Sequence, residues 1–152
     1  MPQWASVDDI LDFAIAEEQA AVQFYTRLAD RTDNPAMREA LQGFAQEERA
    51  HKDRLLAIRA GGAADLHPAP EKIADLKIAD YLVDVEPTPD MLYDDALVLA
   101  MKKEQAACTL YTDLAARTDE AALKDVFLAL AQEEARHKLR FETEYDDMLT
   151  DN

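Results

Sequence analysis

One eight-residue stretch occurs twice in this chain, as AQEERAHK at residues 45–52 and as AQEEARHK at residues 131–138. Each copy contains a glutamate followed three residues later by a histidine. On a helix, two side chains three positions apart lie on the same face about one turn apart, so such a pair can hold one metal ion. The two Glu-x-x-His pairs are Glu48 with His51 and Glu134 with His137.

A further glutamate precedes each copy at the same distance. The two halves of the chain match without gaps at a constant offset of 86 residues (18 to 104, 48 to 134, 51 to 137). Glu17 has Lys103 as its counterpart, which leaves Glu18 and Glu104 as the repeated glutamates. One glutamate from each of two helices and Glu-x-x-His from each of two others form the ligand set of a dimetal carboxylate site in a four-helix bundle. The predicted metal ligands are Glu18, Glu48, His51, Glu104, Glu134 and His137.

The periodicity of the apolar residues predicts an all-α fold. At 152 residues the chain has the length of a single domain, and its three Gly and six Pro lie mainly between the periodic segments. We expect one domain over 1–152, in which two helical hairpins at about 6–60 and 88–148 form an internal repeat. A long crossover at 61–87 joins them. The predicted elements are helix 1 from Ser6 to about Arg31, helix 2 from Pro35 with Asn34 as cap to Gly61–Gly62, a short helix from about Ile73 to Leu82, helix 3 from Thr88–Pro89 to about Arg117, and helix 4 after Asp119 as cap.

The charge of the chain limits its partners. Thirty-two acidic against 16 basic residues give a net charge of −16, which repels nucleic acid and anionic membranes and attracts cations. No apolar run approaches the roughly 18 residues of a membrane span. Cys108 is the single cysteine, and the Met-Pro-Gln-Trp start lacks the features of a signal peptide. We therefore expect a cytoplasmic protein that binds neither nucleic acid nor membranes.

The residue types of the predicted site indicate which metals it holds. Four carboxylates buried together without compensation would repel one another and force some of them to protonate, whereas two divalent cations offset four negative charges. Oxygen donors with one imidazole per metal suit iron or manganese. Four glutamates also permit bridging, with two metals about 3.5–4 Å apart for joint oxygen or peroxide chemistry.

Other repeated residues surround the predicted ligands. Tyr25 and Tyr111 follow Glu18 and Glu104 by two turns on the same face, so each either donates a hydrogen bond to a ligand carboxylate or packs in the core. Glu47 and Glu133 lie one position off the inward stripe, and we interpret them as exposed or as supporting the ligands. Cys108 is interpreted as a small apolar residue.

These motifs resemble the rubrerythrin branch of the ferritin-like superfamily. The resemblance rests on Glu18 with Tyr25, Glu104 with Tyr111, and the two repeated stretches, which together span both hairpins. It implies a ferritin-like four-helix bundle with one long crossover and two iron ions, for which Mn or Zn can substitute. It also implies an oxidoreductase of oxidative stress, in which iron cycles between ferrous and ferric and reduces hydrogen peroxide or oxygen.

The chain departs from the family pattern in two respects. Full-length rubrerythrins carry a rubredoxin-like domain with paired Cys-x-x-Cys motifs. The 152 residues contain no such motif, so turnover would need an external electron donor such as a rubredoxin. Their third helix also tends to carry an additional carboxylate one turn after the ligand glutamate, where this chain has Ala107. Two alternatives remain open, namely a ferroxidase that handles iron for storage or delivery, and a bundle with purely structural metals. A homodimer also remains open.

Overall fold

The structure, a computed structural model, describes residues 7–61, 81, 83 and 85–150. Four helices account for most of these residues, and no strand occurs among them, so the predicted all-α class is confirmed. The helices are α1 (Val7–Arg31), α2 (Pro35–Arg59), α3 (Tyr93–Ala116) and α4 (Ala121–Thr150).

The helices pack as two hairpins. The most extensive contacts lie within the hairpins, between α1 and α2 and between α3 and α4. The hairpins meet where α1 lies against α3 and where α2 lies against α4. Helices that occupy equivalent places in the repeat are therefore neighbours across the interface between the hairpins.

The turn between α1 and α2 follows the sequence prediction. The Asn34 side chain accepts hydrogen bonds from the backbone N–H groups of Ala36 and Met37 at 3.0 and 3.3 Å, and Pro35 takes the first helical place. At the other end of α2, Gly61 has a φ of +69°, a left-handed conformation that suits glycine and terminates the helix. Asn34 and Gly61 thus delimit α2 within about a residue of the prediction.

The predicted start of helix 3 at Thr88–Pro89 is wrong by several residues. Thr88 and the residues after it form a turn, in which the Met91 N–H donates to the Thr88 carbonyl at 3.2 Å. The helix begins at Tyr93, and Asp94 and Asp95 lie in its first turn. Their negative charges interact favourably with the positive end of the helix dipole.

The predicted cap of helix 4 is wrong by one residue. Glu120, not Asp119, precedes α4, and its carbonyl accepts the first helical hydrogen bond from Lys124 N–H at 2.9 Å. The Glu120 side chain also accepts from Ala122 N–H at 3.5 Å. The predicted short helix at 73–82 lies almost wholly outside the described residues, and so does most of the crossover.

The buried side chains form two apolar clusters along the bundle. One includes Leu11, Leu55 and Phe127, and the other includes Leu28, Leu41 and Phe141. The apolar stripes of the helices face the interior, where most of their side chains are buried, while Ala21, Met101 and Cys108 are half-buried. None of the helices in the described ranges combines the length and apolar character needed to cross a membrane.

Candidate metal centre

The six predicted ligands meet in the bundle interior. Helices α1 and α3 each contribute one glutamate, and α2 and α4 each contribute a Glu-x-x-His pair, as the repeat predicts. Every one of the six side chains is at most 2% exposed. Titratable groups are seldom buried this completely without a partner that offsets their charge. The cluster is therefore expected to bind such a partner.

The six residues form two overlapping groups in which the potential ligand atoms all lie within 4.8 Å of one another. We call the first group the His51 position and the second the His137 position. Glu48 and Glu134 belong to both groups and are therefore placed to bridge two metal ions. The His51 position consists of Glu18, Glu48, His51 and Glu134, and the His137 position consists of Glu48, Glu104, Glu134 and His137.

The imidazoles face this cluster through their Nδ1 atoms. Nδ1 of His51 lies 3.1 Å from Glu48 Oε1 and 3.2 Å from Glu134 Oε1. Nδ1 of His137 lies 3.5 Å from Glu48 Oε1 and 3.7 Å from Glu134 Oε1. The two rings are nearly parallel, with centroids 6.3 Å apart. Both histidines thus direct a nitrogen at the two shared carboxylates.

One atom of each of the six side chains lacks a hydrogen-bond partner among the described residues. These buried atoms are Glu18 Oε2, Glu48 Oε1, His51 Nδ1, Glu104 Oε2, Glu134 Oε1 and His137 Nδ1. Buried polar atoms are normally satisfied, and an unsatisfied one costs about 1–3 kcal/mol. Because all six belong to the two groups just described, a pair of divalent cations would satisfy them together. The donor set therefore fits a dimetal centre.

Without cations, the buried groups of the cluster have shifted pKa values. Burial, reinforced by the charge of Glu134, raises the pKa of Glu18 and raises that of Glu104 to about 8. Burial alone would lower the pKa of His51, but the carboxylates of Glu134 and Glu18 raise it to about 11. The cluster therefore retains protons at neutral pH, and metal ions would displace them.

The outer nitrogen of each histidine contacts a carboxylate on the opposite hairpin. His51 Nε2 is hydrogen-bonded to Glu133, and His137 Nε2 lies 2.8 Å from Glu47 Oε2. Glu47 and Glu133 are 36% and 33% exposed, so they are partly accessible to solvent as well as in contact with the histidines. A carboxylate on Nε2 fixes the proton there and leaves Nδ1 free to bind metal.

Two tyrosines also connect the hairpins. The Tyr25 hydroxyl donates to Glu104, and the Tyr111 hydroxyl donates to Glu18, so each tyrosine of one hairpin holds the glutamate of the other. Burial, together with the charge of its partner glutamate, raises the pKa of each tyrosine well above its usual value. Both hydroxyls therefore stay protonated and act as donors.

Tyr111→Phe is expected to loosen the His51 position without unfolding the bundle. The substitution removes the donor that orients Glu18, and hydrogen bonds to charged groups contribute about 1.5–3 kcal/mol. We expect about tenfold weaker Mn²⁺ binding by calorimetry, in the range observed for groups that support metal ligands. Tyr145→Phe on α4 is the matched control. Unchanged metal affinity in Tyr111→Phe would contradict the role of the hydroxyl.

A pocket between α1 and α3 reaches the cluster from the surface. Its inner wall includes the four buried carboxylates of the cluster, and Glu17, which is exposed, lies on its outer part. Several of the side chains that line the pocket, including that of Ala107, are small and leave the pocket open. The small residues that line it are Ala14, Ala20, Ala21, Ala106 and Ala107. The methyl group of Ala107 thus occupies the place where the resemblance suggested a further carboxylate, and space remains open there.

Comparison with known proteins agrees with this geometry. Two solved structures share the fold. A Thermotoga maritima protein described as ferritin-like and diiron-carboxylate is 18% identical, has a TM-score of 0.78, and is matched over 97% of this chain and 99% of its own. A hypothetical protein from Pyrococcus furiosus is 25% identical, has a TM-score of 0.76, and is matched over 96% and 92%. No curated protein matches the chain.

The comparison with protein families is more specific than the shared fold. The rubrerythrin model matches residues 9–83 and 95–152, which include all six clustered side chains and both tyrosines. The fold is accordingly the ferritin-like four-helix bundle. Because the family model matches most of both hairpins, the chain belongs to the rubrerythrin family.

Proposed function

We propose that the protein is a di-iron oxidoreductase that reduces hydrogen peroxide or oxygen with electrons from an external donor. The observation that carries the proposal is the set of six unpartnered buried atoms, arranged in two groups with two carboxylates in common. Carboxylate oxygens with one imidazole per ion suit iron, and manganese or zinc can occupy the same donors. Two ferrous ions, when bound, supply two electrons.

Each side chain of the centre has a distinct role in this proposal. Glu48 and Glu134 would serve both ions, while one histidine and one further glutamate would complete each position. Tyr25 and Tyr111 keep their protons and orient Glu104 and Glu18. The two apolar clusters surround the centre with nonpolar side chains and limit the access of water to it.

The size of the pocket between α1 and α3 supports the proposal of a small substrate. It is lined by alanines beside the carboxylates, and its narrow interior suits a molecule the size of peroxide or oxygen. The electron donor must lie elsewhere, because the 152 residues contain only one cysteine and thus no Cys-x-x-Cys pair. A rubredoxin-like protein is the kind of donor that the proposal requires.

Iron oxidation for storage or delivery is the competing function. The net charge of −16 favours it, because an acidic surface concentrates ferrous ions around the protein. The two functions make opposite demands on the centre. Peroxide reduction needs two ions that remain bound and are reduced again, whereas storage needs many iron ions to pass through the site.

A single-turnover experiment tests the proposed function. Reduction of hydrogen peroxide to two molecules of water consumes two electrons and two protons, which matches the capacity of one diferrous centre. We expect diferrous protein to react rapidly with one equivalent of peroxide and then to stop until reduced rubredoxin is added. Stopped-flow absorbance follows the oxidation.

An iron-loading titration in parallel distinguishes the alternatives. Binding that saturates near two Fe per chain supports redox catalysis. Loading far beyond two Fe per chain in an assembled shell would favour storage instead. Diferrous protein that is inert to peroxide would also contradict the proposal, and a protein that binds iron but shows neither behaviour would leave the metals with a structural role.

A further inference from the structure

The two metal positions share the same ligand types but differ in the residues behind them. Glu47, which contacts His137 through Oε2, also accepts a hydrogen bond from Arg136 at Oε1. Glu133 contacts His51, and among the described residues it makes no ion pair with an arginine or lysine. The asymmetry is visible in the sequence, because the repeat places Ala50 where the other half has Arg136.

The arginine reduces the negative charge behind one position only. Arg136 offsets the charge of Glu47, so the His137 position attracts a cation less strongly than the His51 position does. A carboxylate that is shared with a guanidinium also accepts less strongly from the imidazole, which makes His137 a weaker donor to metal. Both effects act in the same direction.

We propose that Arg136 makes the two metal positions unequal, so that a divalent cation binds more tightly at the His51 position and fills it first. Arg136 acts through Glu47 and His137 and is a positioning residue. The inference rests on the proposed two-metal centre but not on its redox chemistry. Because the Arg136 side chain is 55% exposed, water screens its charge, and we expect a difference of about tenfold in affinity.

Two single-histidine variants measure the positions separately. His137→Ala leaves the His51 position intact, and His51→Ala leaves the His137 position intact. Titration with Mn²⁺, followed by calorimetry and by electron paramagnetic resonance of the free ion, gives an affinity for each. We expect the protein with His137→Ala to bind about tenfold more tightly than the protein with His51→Ala. Equal affinities, or the reverse order, would overturn the inference.

Substitutions of the arginine test its role as the cause. In the His51→Ala background, Arg136→Ala should tighten Mn²⁺ binding about tenfold, whereas Arg136→Lys, which keeps the charge, should change it less. In the His137→Ala background, Arg136→Ala should have little effect. Arg49→Ala removes the same charge from an exposed site on α2 and is the matched control. An equal response to Arg49→Ala and Arg136→Ala would contradict a specific role of Arg136.

The protein with all six ligands provides a second measurement if a single-histidine variant fails to fold, which circular dichroism reveals. Its Mn²⁺ titration should show two steps, and Arg136→Ala should bring them closer together. Steps that stay equally far apart would overturn the inference. If the six-ligand protein binds no Mn²⁺, Co²⁺ or Fe²⁺, the proposed two-metal centre itself is wrong. If it binds two ions but Arg136→Ala leaves the spacing between the steps unchanged, only the role of Arg136 is wrong.

Discussion

Glu134→Gln is expected to abolish binding of both metal ions, although it changes one atom of one side chain. Glu134, like Glu48, belongs to both groups, so its carboxylate is one of the two donors that the two positions share. Gln has the same shape but lacks the charge and the second oxygen donor. We expect less than one metal ion per chain by elemental analysis, compared with about two for the unsubstituted protein.

Two comparisons make this result specific. Glu104→Gln removes a ligand that belongs to the His137 position alone, so it should leave one ion bound. Glu39→Gln, at an exposed site on α2, should leave both. The helix content measured by circular dichroism should remain unchanged in all three variants. Unfolding of the protein by Glu134→Gln would instead indicate a structural network, and two ions retained would refute bridging.

The metal-free protein is expected to lose stability as the pH rises, and metal ions should remove this loss. The pKa of Glu104 is raised to about 8 in the folded state from 4.5, and that of His51 to about 11 from 6.5. The folded state therefore binds more protons than the unfolded state, and the free energy of unfolding falls as these protons dissociate. The Glu104 contribution is lost between about pH 4.5 and 8, and the His51 contribution between about pH 6.5 and 11.

Metal ions replace these protons in the folded state, so their stabilising effect should grow across the same range of pH. A free metal concentration 100-fold above the dissociation constant contributes about 2.7 kcal/mol for one site. For a chain of this length, that corresponds to an increase in Tm of about 5–10 °C. Calorimetric melting at pH 5.5 and 8, with Mn²⁺ and with chelator, measures both effects.

The variant Glu134→Gln also serves as a control for the pH effect. Glu134 contributes to the raised pKa of both Glu104 and His51, so its neutralisation should flatten the dependence of Tm on pH in the metal-free protein. A metal-free protein with the same Tm at pH 5.5 and 8 would contradict the retention of protons in the cluster. An unchanged melting curve after chelation would argue against a buried dimetal centre.

The helices and the residues that meet in the core could be predicted because the repeat encodes them. Period-3.6 apolar stripes fixed the inward faces, and the constant offset between halves singled out Glu18 and Glu104 from their neighbours. The ends of helices were harder. A turn closed by one hydrogen bond from Met91 to Thr88 precedes α3, and Thr88, Asp90 and Asp94 all resemble the residues at which helices begin.

The partners of the supporting residues could not be predicted from spacing. Tyr25 follows Glu18 in sequence but donates to Glu104, because α1 and α3 are neighbours across the interface between the hairpins. Sequence distance constrains only contacts within a hairpin. The repeat shows an asymmetry at Arg136, because the equivalent residue of the other half is Ala50. The contact of Arg136 with Glu47 lies between the hairpins, and only the structure shows it.

The crossed pairs of tyrosine and glutamate bear on how such a protein can originate. Each hairpin contributes to the centre one tyrosine, one single glutamate and one Glu-x-x-His pair. The tyrosine and the outer histidine nitrogen of each hairpin contact glutamates of the other. Two identical copies of one hairpin, related by a twofold axis, would therefore supply all the side chains of the centre. A gene that encoded a single hairpin could have formed this centre as a dimer, and its duplication and fusion would then have freed the halves to diverge, as they have at Arg136 and Ala50.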